Sequence, residues 1–207
     1  MSLVCLVPAA GASTRMRGRD KLLEKIDGVP LLARQTSAVM ALGVPVLVTL
    51  PAQAEDRVNA LHSILDELVT LMNIANANEG LSASIRMGAN WAMAQGATAL
   101  MVALPDLPDV CAEDFAALHA AHRTHPDAVI RATTAEGEAG HPTILPARLF
   151  GALTQLTGDQ GAKPVLKSEQ FIPCPLPGNR AVTDLDTREA WEAWRTARAA
   201  KSKQSQP

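Results

Sequence analysis

The chain predicts an α/β fold in which helices cover both faces of a mostly parallel sheet, a three-layer α/β/α sandwich. Three observations predict it. Short, wholly apolar runs alternate with longer runs whose apolar residues recur at helical spacing. The apolar runs lack the in/out alternation of a one-sided sheet, so their strands are buried on both faces. Apolar residues make up 47% of the 207 residues and charged residues only 19%, enough to fill such a core.

The elements follow in order. Leu3–Val7 reads as a buried strand. Pro30–Leu42 reads as a helix, with Pro30 in its first turn and Gly43 at its end. Val46–Leu50 is a second strand, and Ala54–Leu68 an amphipathic helix with Val58, Leu61, Ile64, Leu65 and Leu68 on one face. Val69–Ile74 is a third strand. Ser82–Gln95 is a helix for which Ser82 supplies a cap residue. Ala99–Leu104 is a fully apolar strand, Ala112–His122 a helix and Ala128–Ala132 a strand. Pro146–Leu156 and Gly161–Ser168 read as short helices, Phe171–Cys174 and Ala181–Val182 as short strands, and Thr187–Ala199 as the last helix. The length suits one domain, placed at residues 1–199, with the polar residues 200–207 expected to be a disordered tail.

Composition excludes several classes. The formal charge is −2, aromatics are 3% and tyrosine is absent. A nucleic-acid surface is normally basic, and single-strand binding needs stacking rings, so no nucleic acid is expected. No stretch has the roughly 18 apolar residues that span a bilayer, so no membrane is expected. Cys5, Cys111 and Cys174 are odd in number and lack metal spacing. They read as free, reduced thiols of a cytoplasmic protein.

The chemistry concentrates after the first strand. Ala9-Ala10-Gly11-Ala12-Ser13-Thr14-Arg15-Met16 is followed by Arg17, Arg19 and Lys21. Small side chains let backbone amides approach phosphate oxygens, and cations neutralise them. Six residues separate Gly11 from Gly18, and Arg19 follows, which excludes a P-loop; no G-x-G-x-x-G is present. A basic surface turn is the alternative reading. A second loop, Pro105-Asp106-Leu107-Pro108, follows the Ala99–Leu104 strand. In open α/β sheets ligands bind beyond the carboxyl ends of strands, where both loops lie. Asp106 reads either as a metal ligand in a stiff turn or as an Asp that begins a turn.

Six motifs in order resemble the molybdenum cofactor cytidylyltransferases and their molybdopterin nucleotidyltransferase relatives. They are the Ala9–Met16 loop with Lys21, Gly80-Leu81-Ser82-Ala83-Ser84-Ile85-Arg86, Leu104–Pro108, Gly140-His141-Pro142, Gly158-Asp159-Gln160-Gly161-Ala162-Lys163, and Asp184-Leu185-Asp186-Thr187. The resemblance runs from Leu3 to about Trp194 and implies a nucleotide-diphospho-sugar transferase-like fold.

It also implies roles. Arg15 and Lys21 would act in catalysis, steadying the pyrophosphate that leaves. Ala9, Ala10, Gly11 and Ser13, with Gly80, Ser82 and Ser84, would bind the nucleotide. Asp106 with Asp186 would hold Mg²⁺, with Asp184 the other candidate. His141 and Lys163 would meet the acceptor. The implied reaction moves CMP from CTP to molybdopterin, and Ala10 favours CTP because the guanylyl-transferring branch has Gly there. Pro105 stands where many relatives have Gly, which removes an amide from that turn. The alternatives are a same-fold transferase for a sugar phosphate or an isoprenoid precursor, and a non-catalytic cofactor carrier or chaperone for a molybdenum hydroxylase; a molybdenum hydroxylase or its chaperone is the expected protein partner.

Overall fold

The computed structural model describes residues 2–75 and 79–204. Among the described residues nine strands form: β1 (Leu3–Pro8), β2 (Lys25–Ile26), β3 (Val29–Pro30), β4 (Val46–Pro51), β5 (Val69–Ile74), β6 (Ala99–Val102), β7 (Val129–Thr133), β8 (Ala139–Pro146) and β9 (Phe171–Pro175). The α-helices are α1 (Leu31–Met40), α2 (Glu55–Leu61), α3 (Leu81–Ala94), α4 (Ala112–Thr124), α5 (Phe150–Leu153), α6 (Lys163–Leu166) and α7 (Arg188–Gln204). Seven strands make one sheet in the order β5-β4-β1-β6-β8-β7-β9. β8 runs antiparallel to both of its neighbours; the other pairs are parallel.

Side-chain alternation along β1 builds the layers. Leu3, Cys5 and Val7 face one core with Leu32 and Val39 of α1 and Phe115 and Leu118 of α4. Val4 and Leu6 face the other core with Ile85 and Trp91 of α3 and Phe150 of α5. Gly88 permits the close crossing of α3, since a Cβ there would lie 2.8 Å from a Leu6 methyl. A third, smaller core joins Met16, Ile26 and Leu31 to Leu185 and Trp191. It seats the loop after β1 beneath α7.

Four elements differ from the sequence reading. The predicted Ala54–Leu68 helix ends at Leu61, followed by one 3-10 turn to Ile64. The Asp66 carboxylate accepts the Leu68 amide at 2.9 Å, a local bond that competes with helix. β8 is a strand that was not predicted, because Gly140, Pro142 and Pro146 punctuate it. Ala181–Val182 is a turn, with the Val182 and Thr183 amides both donating to the Asn179 carbonyl. The last helix continues past Ala199 to Gln204, so residues 200–204 of the expected tail are helical. The rest of that tail, residues 205–207, lies outside the described residues.

A small hairpin, β2–β3, also went unpredicted. Its turn is Asp27-Gly28, with φ of 53° and 83°. Both values are positive, as a two-residue hairpin turn of type I′ requires, and the Asp-Gly pair was its signal.

Candidate active site

Parallel pairing of β1 with β4 and β6 brings three carboxyl ends to one edge of the sheet. The loop after β1 and the Leu104–Pro108 loop leave from that edge side by side. A third segment, residues 184–186, is tied to them by the Leu185 amide, which donates to the Asp106 carbonyl at 3.1 Å. This bond joins positions about 80 residues apart in sequence.

The site centres on one ammonium. Lys21 Nζ donates to Asp106 Oδ2 at 2.6 Å and to Asp186 Oδ1. Arg15 Nη1 donates to the other oxygen of Asp186 at 2.6 Å. Lys21 and Asp106 are mostly buried; Arg15 is 71% exposed, so its pair is worth far less. Burial pulls the Lys21 pKa down, but the charges and hydrogen bonds of Asp106 and Asp186 outweigh this and raise it above the ordinary lysine value. Lys21 therefore stays charged at neutral pH.

The carboxylate pair fits a divalent cation. Two oxygens from different loops already converge on one cationic centre, and Asp106 Oδ1 is buried with no hydrogen-bond partner. No group of three or more His, Cys, Asp or Glu able to hold a metal occurs among the described residues. Magnesium sites often use only one or two carboxylates, completed by phosphate and water. Asp184 makes no bond to Lys21. It lines a separate groove of about 910 Å³ with Arg180 and Trp194. Burial and the charges of Asp186 and Asp106 push its carboxyl pKa up.

The loop itself is shaped by buried polar contacts. Ser13 adopts φ 51°, and its hydroxyl donates to Asp20 Oδ1 at 3.1 Å while accepting the Lys21 amide at 3.3 Å. Asp20 caps the short 3-10 turn Lys21–Leu23 by accepting the Leu22 amide at 3.0 Å. Ala9 and Ala10 are buried, whereas Gly11 and Ala12 are exposed. A cleft of about 660 Å³ opens beside them, lined by Ala10, Gly11, Pro51, Gln53 and Arg57. A second hollow of about 150 Å³ lies between Gly11, Ser13, Arg15, Lys21 and Asp186.

Residues 5–172 match the family of MobA-like NTP transferase domains. The chain belongs to that family. A probable molybdenum cofactor guanylyltransferase of Opitutus terrae is 30% identical over 123 residues, which are 59% of this chain and 57% of that protein. The chain thus spans little more than half the length of that relative. Rv0371c from Mycobacterium tuberculosis H37Rv superposes with a TM-score of 0.75 at 23% identity, covering 94% of this chain and 97% of that one. The same protein in complex with manganese gives 0.73 at 21% identity, over 93% and 97%. These superpositions show the nucleotidyltransferase fold.

Within this MobA-like domain the other predicted residues divide. Gly80 is the N-cap of α3, with φ 65°; a Cβ there would lie 3.1 Å from Asp159. Ser82 is therefore not the cap. Its buried hydroxyl donates to the Thr157 carbonyl at 3.4 Å and accepts the Gly161 amide at 3.1 Å, holding residues 157–161 against α3. Ser84 is buried too, and accepts the Thr49 hydroxyl at 3.0 Å. Both serines bond within the protein.

His141 stands beside the carboxylates because of strand register. Val102 pairs with Thr143 in the antiparallel β6–β8 ladder, so His141 lies past the end of β6, level with the Leu104–Asp106 turn. Burial, then the Arg131 charge, push its pKa down to about 4, so the ring is neutral at pH 7. Gly140 makes this packing possible: a Cβ would collide at 1.9 Å with the Ala181 carbonyl, which accepts the His141 amide. Lys163 is exposed at the start of α6, within electrostatic reach of His141. Arg17 and Arg19 are exposed and pair with Glu189 and Glu24.

Two arginines in the site were missed in the sequence. Arg57 of α2 is 5% exposed and bonds the Ala9 and Gly11 carbonyls and Asp20. Arg188 of α7 donates to the Met16 and Arg17 carbonyls at 3.2 and 3.1 Å. The signal for Arg57 was its place four residues before Leu61 on the buried face of α2. No helix among the described residues is long and apolar enough to cross a membrane.

Proposed function

We propose that this chain is a cytoplasmic nucleotidyltransferase that moves CMP from CTP to molybdopterin and releases pyrophosphate. The observation that carries the reading is the Lys21 ammonium held between Asp106 and Asp186 at the mouth of the Ala9–Lys21 loop. A phosphate oxygen of molybdopterin attacks the α-phosphorus of CTP. The bond from the α-phosphorus to its bridging oxygen breaks, and its electron pair leaves on pyrophosphate. The phosphate nucleophile is already anionic at neutral pH, so no general base and no covalent enzyme intermediate are needed.

The chain's own residues act on charge and position. The amides of Ala10, Gly11 and Ala12 have no protein acceptor among the described residues, so they are free to bind the β- and γ-phosphates. Lys21 and Arg15 sit where negative charge accumulates as pyrophosphate departs, and fixed donors there lower the barrier. Asp106 and Asp186 would hold Mg²⁺, which when bound neutralises the α-phosphate and orients the attacking oxygen. Rv0371c, which shares this fold, forms a complex with manganese, and that supports a divalent cation for this chain. Neutral His141 and exposed Lys163 face the acceptor, Lys163 toward its anionic group. The product then passes to a molybdenum hydroxylase or its chaperone.

CTP rather than GTP rests on Ala10, which is buried against Ile74 and Ala83 at the edge of the 660 Å³ cleft. The relative from Opitutus terrae favours the second reading, GTP. Pyrophosphate release with Mg²⁺, molybdopterin and either CTP or GTP tests both. Turnover with CTP at least tenfold faster supports the first; the reverse ratio establishes the second. Release only with a sugar phosphate or isoprenoid acceptor, or with none, overturns the molybdopterin reading.

A further inference from the structure

We infer that Arg57 is the positioning residue of the phosphate cradle, an assignment that rests on the transferase reading above. Its guanidinium turns the Ala9 and Gly11 carbonyls inward and thereby aims the Ala10 and Ala12 amides outward at the triphosphate.

The geometry is specific. Arg57 Nη1 donates to the Ala9 carbonyl at 2.6 Å, Nη2 to the Gly11 carbonyl at 2.8 Å, and Nε to Asp20 Oδ2 at 2.6 Å. All three nitrogens are used, as the planar fork of arginine allows and the point charge of lysine does not. In a trans peptide the carbonyl of one residue and the amide of the next point in opposite directions. The only cis peptide among the described residues is His141-Pro142, so the rule holds through the loop. With the Ala9 and Gly11 carbonyls turned to Arg57, the Ala10 and Ala12 amides point away from it. Neither amide has a protein acceptor among the described residues.

Two consequences favour an anion. The negative ends of two peptide dipoles are withdrawn from the phosphate side, and the guanidinium that holds them, paired with Asp20, lies behind them. The third bond extends the control to the catalytic lysine. Asp20 accepts from Arg57 on one oxygen and from Ser13 on the other, and the Ser13 hydroxyl accepts the Lys21 amide. Arg57 also lines the 660 Å³ cleft, so the hole left by its removal is open to small solutes.

The experiment compares wild type, Arg57→Ala and Arg57→Lys at a temperature well below each melting point. Binding of inorganic tripolyphosphate and of CMP is measured with Mg²⁺ present, together with KM and kcat for CTP. Arg57→Ala is expected to weaken tripolyphosphate binding at least tenfold and CMP binding less than threefold. Millimolar guanidinium is expected to restore tripolyphosphate binding in Arg57→Ala and to leave wild type unchanged. Arg57→Lys is expected to fall between, with KM raised more than kcat is lowered. If Arg57→Ala does not fold, Arg57→Lys decides the matter by the same ratio of tripolyphosphate to CMP loss. Equal loss of both ligands, tripolyphosphate binding within twofold of wild type, or wild type that binds no tripolyphosphate overturns the assignment. A wild type that binds tripolyphosphate but releases no pyrophosphate with molybdopterin sinks the transferase reading alone.

Discussion

The two loops that carry the site are made rigid in opposite ways. The Leu104–Pro108 loop is stiff by itself. Prolines flank Asp106 on both sides and both are buried, so the local chain has few conformations to lose. The Ala9–Lys21 loop is intrinsically loose, with small residues and Gly11 and Gly18. Its shape is imposed from outside, by Arg57 of α2 at one end and Arg188 of α7 at the other. The difference matches what each loop would present on the proposed reading. A metal-binding carboxylate needs one fixed side chain, and a proline-locked turn supplies that. A phosphate cradle needs bare backbone, so Ala9–Ala12 is braced from behind by Arg57, while Ser13 and Asp20 brace the rest of the loop from within.

The largest test of this contrast removes the charge on which both loops converge. Lys21→Met is expected to lower kcat/KM for CTP by about 10²–10³-fold, the usual loss of a donor at developing charge. Pyrophosphate release measures it. A loss under tenfold means that Lys21 only bridges the two carboxylates.

Loosening the outer clamp comes next. Arg188→Gln removes both donors to the Met16 and Arg17 carbonyls. Its bonds are longer than those of Arg57 and partly exposed, so KM for CTP is expected to rise about threefold, with kcat within twofold. Steady-state kinetics check this; a change of a hundredfold reverses the proposed ranking of the two clamps.

The smallest effect belongs to the self-stiffened loop. Pro105→Ala relaxes the unfolded chain and is expected to cost about 0.4–1 kcal/mol of stability in denaturant unfolding. Turnover should stay within threefold, because the Leu185 amide still holds the Asp106 carbonyl. A tenfold loss of turnover assigns the geometry to the proline itself.

Much of the fold was legible because its physics is local. The apolar runs of β1, β4, β5 and β6 each announce a doubly buried strand. β8 was hidden because Gly140 and Pro142 read as loop residues and Pro146 as the start of a helix, although Thr143–Leu145 between them is fully buried. The site divides in the same way. Lys21 stands out as a cation after a small-residue loop and Asp106 as an acid between prolines, whereas Asp186 is singled out only by the family resemblance of the Asp184–Thr187 motif. Arg57 lies in an ordinary helical run, where only its spacing from Leu61 marks it off from a solvated arginine. Ser82 shows the reverse: a hydroxyl at a helix start suggests a cap, yet Gly80 is the cap and both Ser82 and Ser84 bond within the protein.

By itself the sequence determined the α/β class and the two loops at the carboxyl ends of their strands, which follow from periodicity and composition acting over a few residues. Lys21, Asp106 and the pair Asp184 and Asp186 are singled out by the family resemblance of their motifs. Only the tertiary structure decided that Asp186, not Asp184, shares the ammonium with Asp106, and that two arginines from distant helices shape the phosphate loop. Those outcomes depend on strand order and on single long-range hydrogen bonds, such as Leu185 to Asp106. A chain's local pattern does not encode them, because the partners meet only after the sheet has formed.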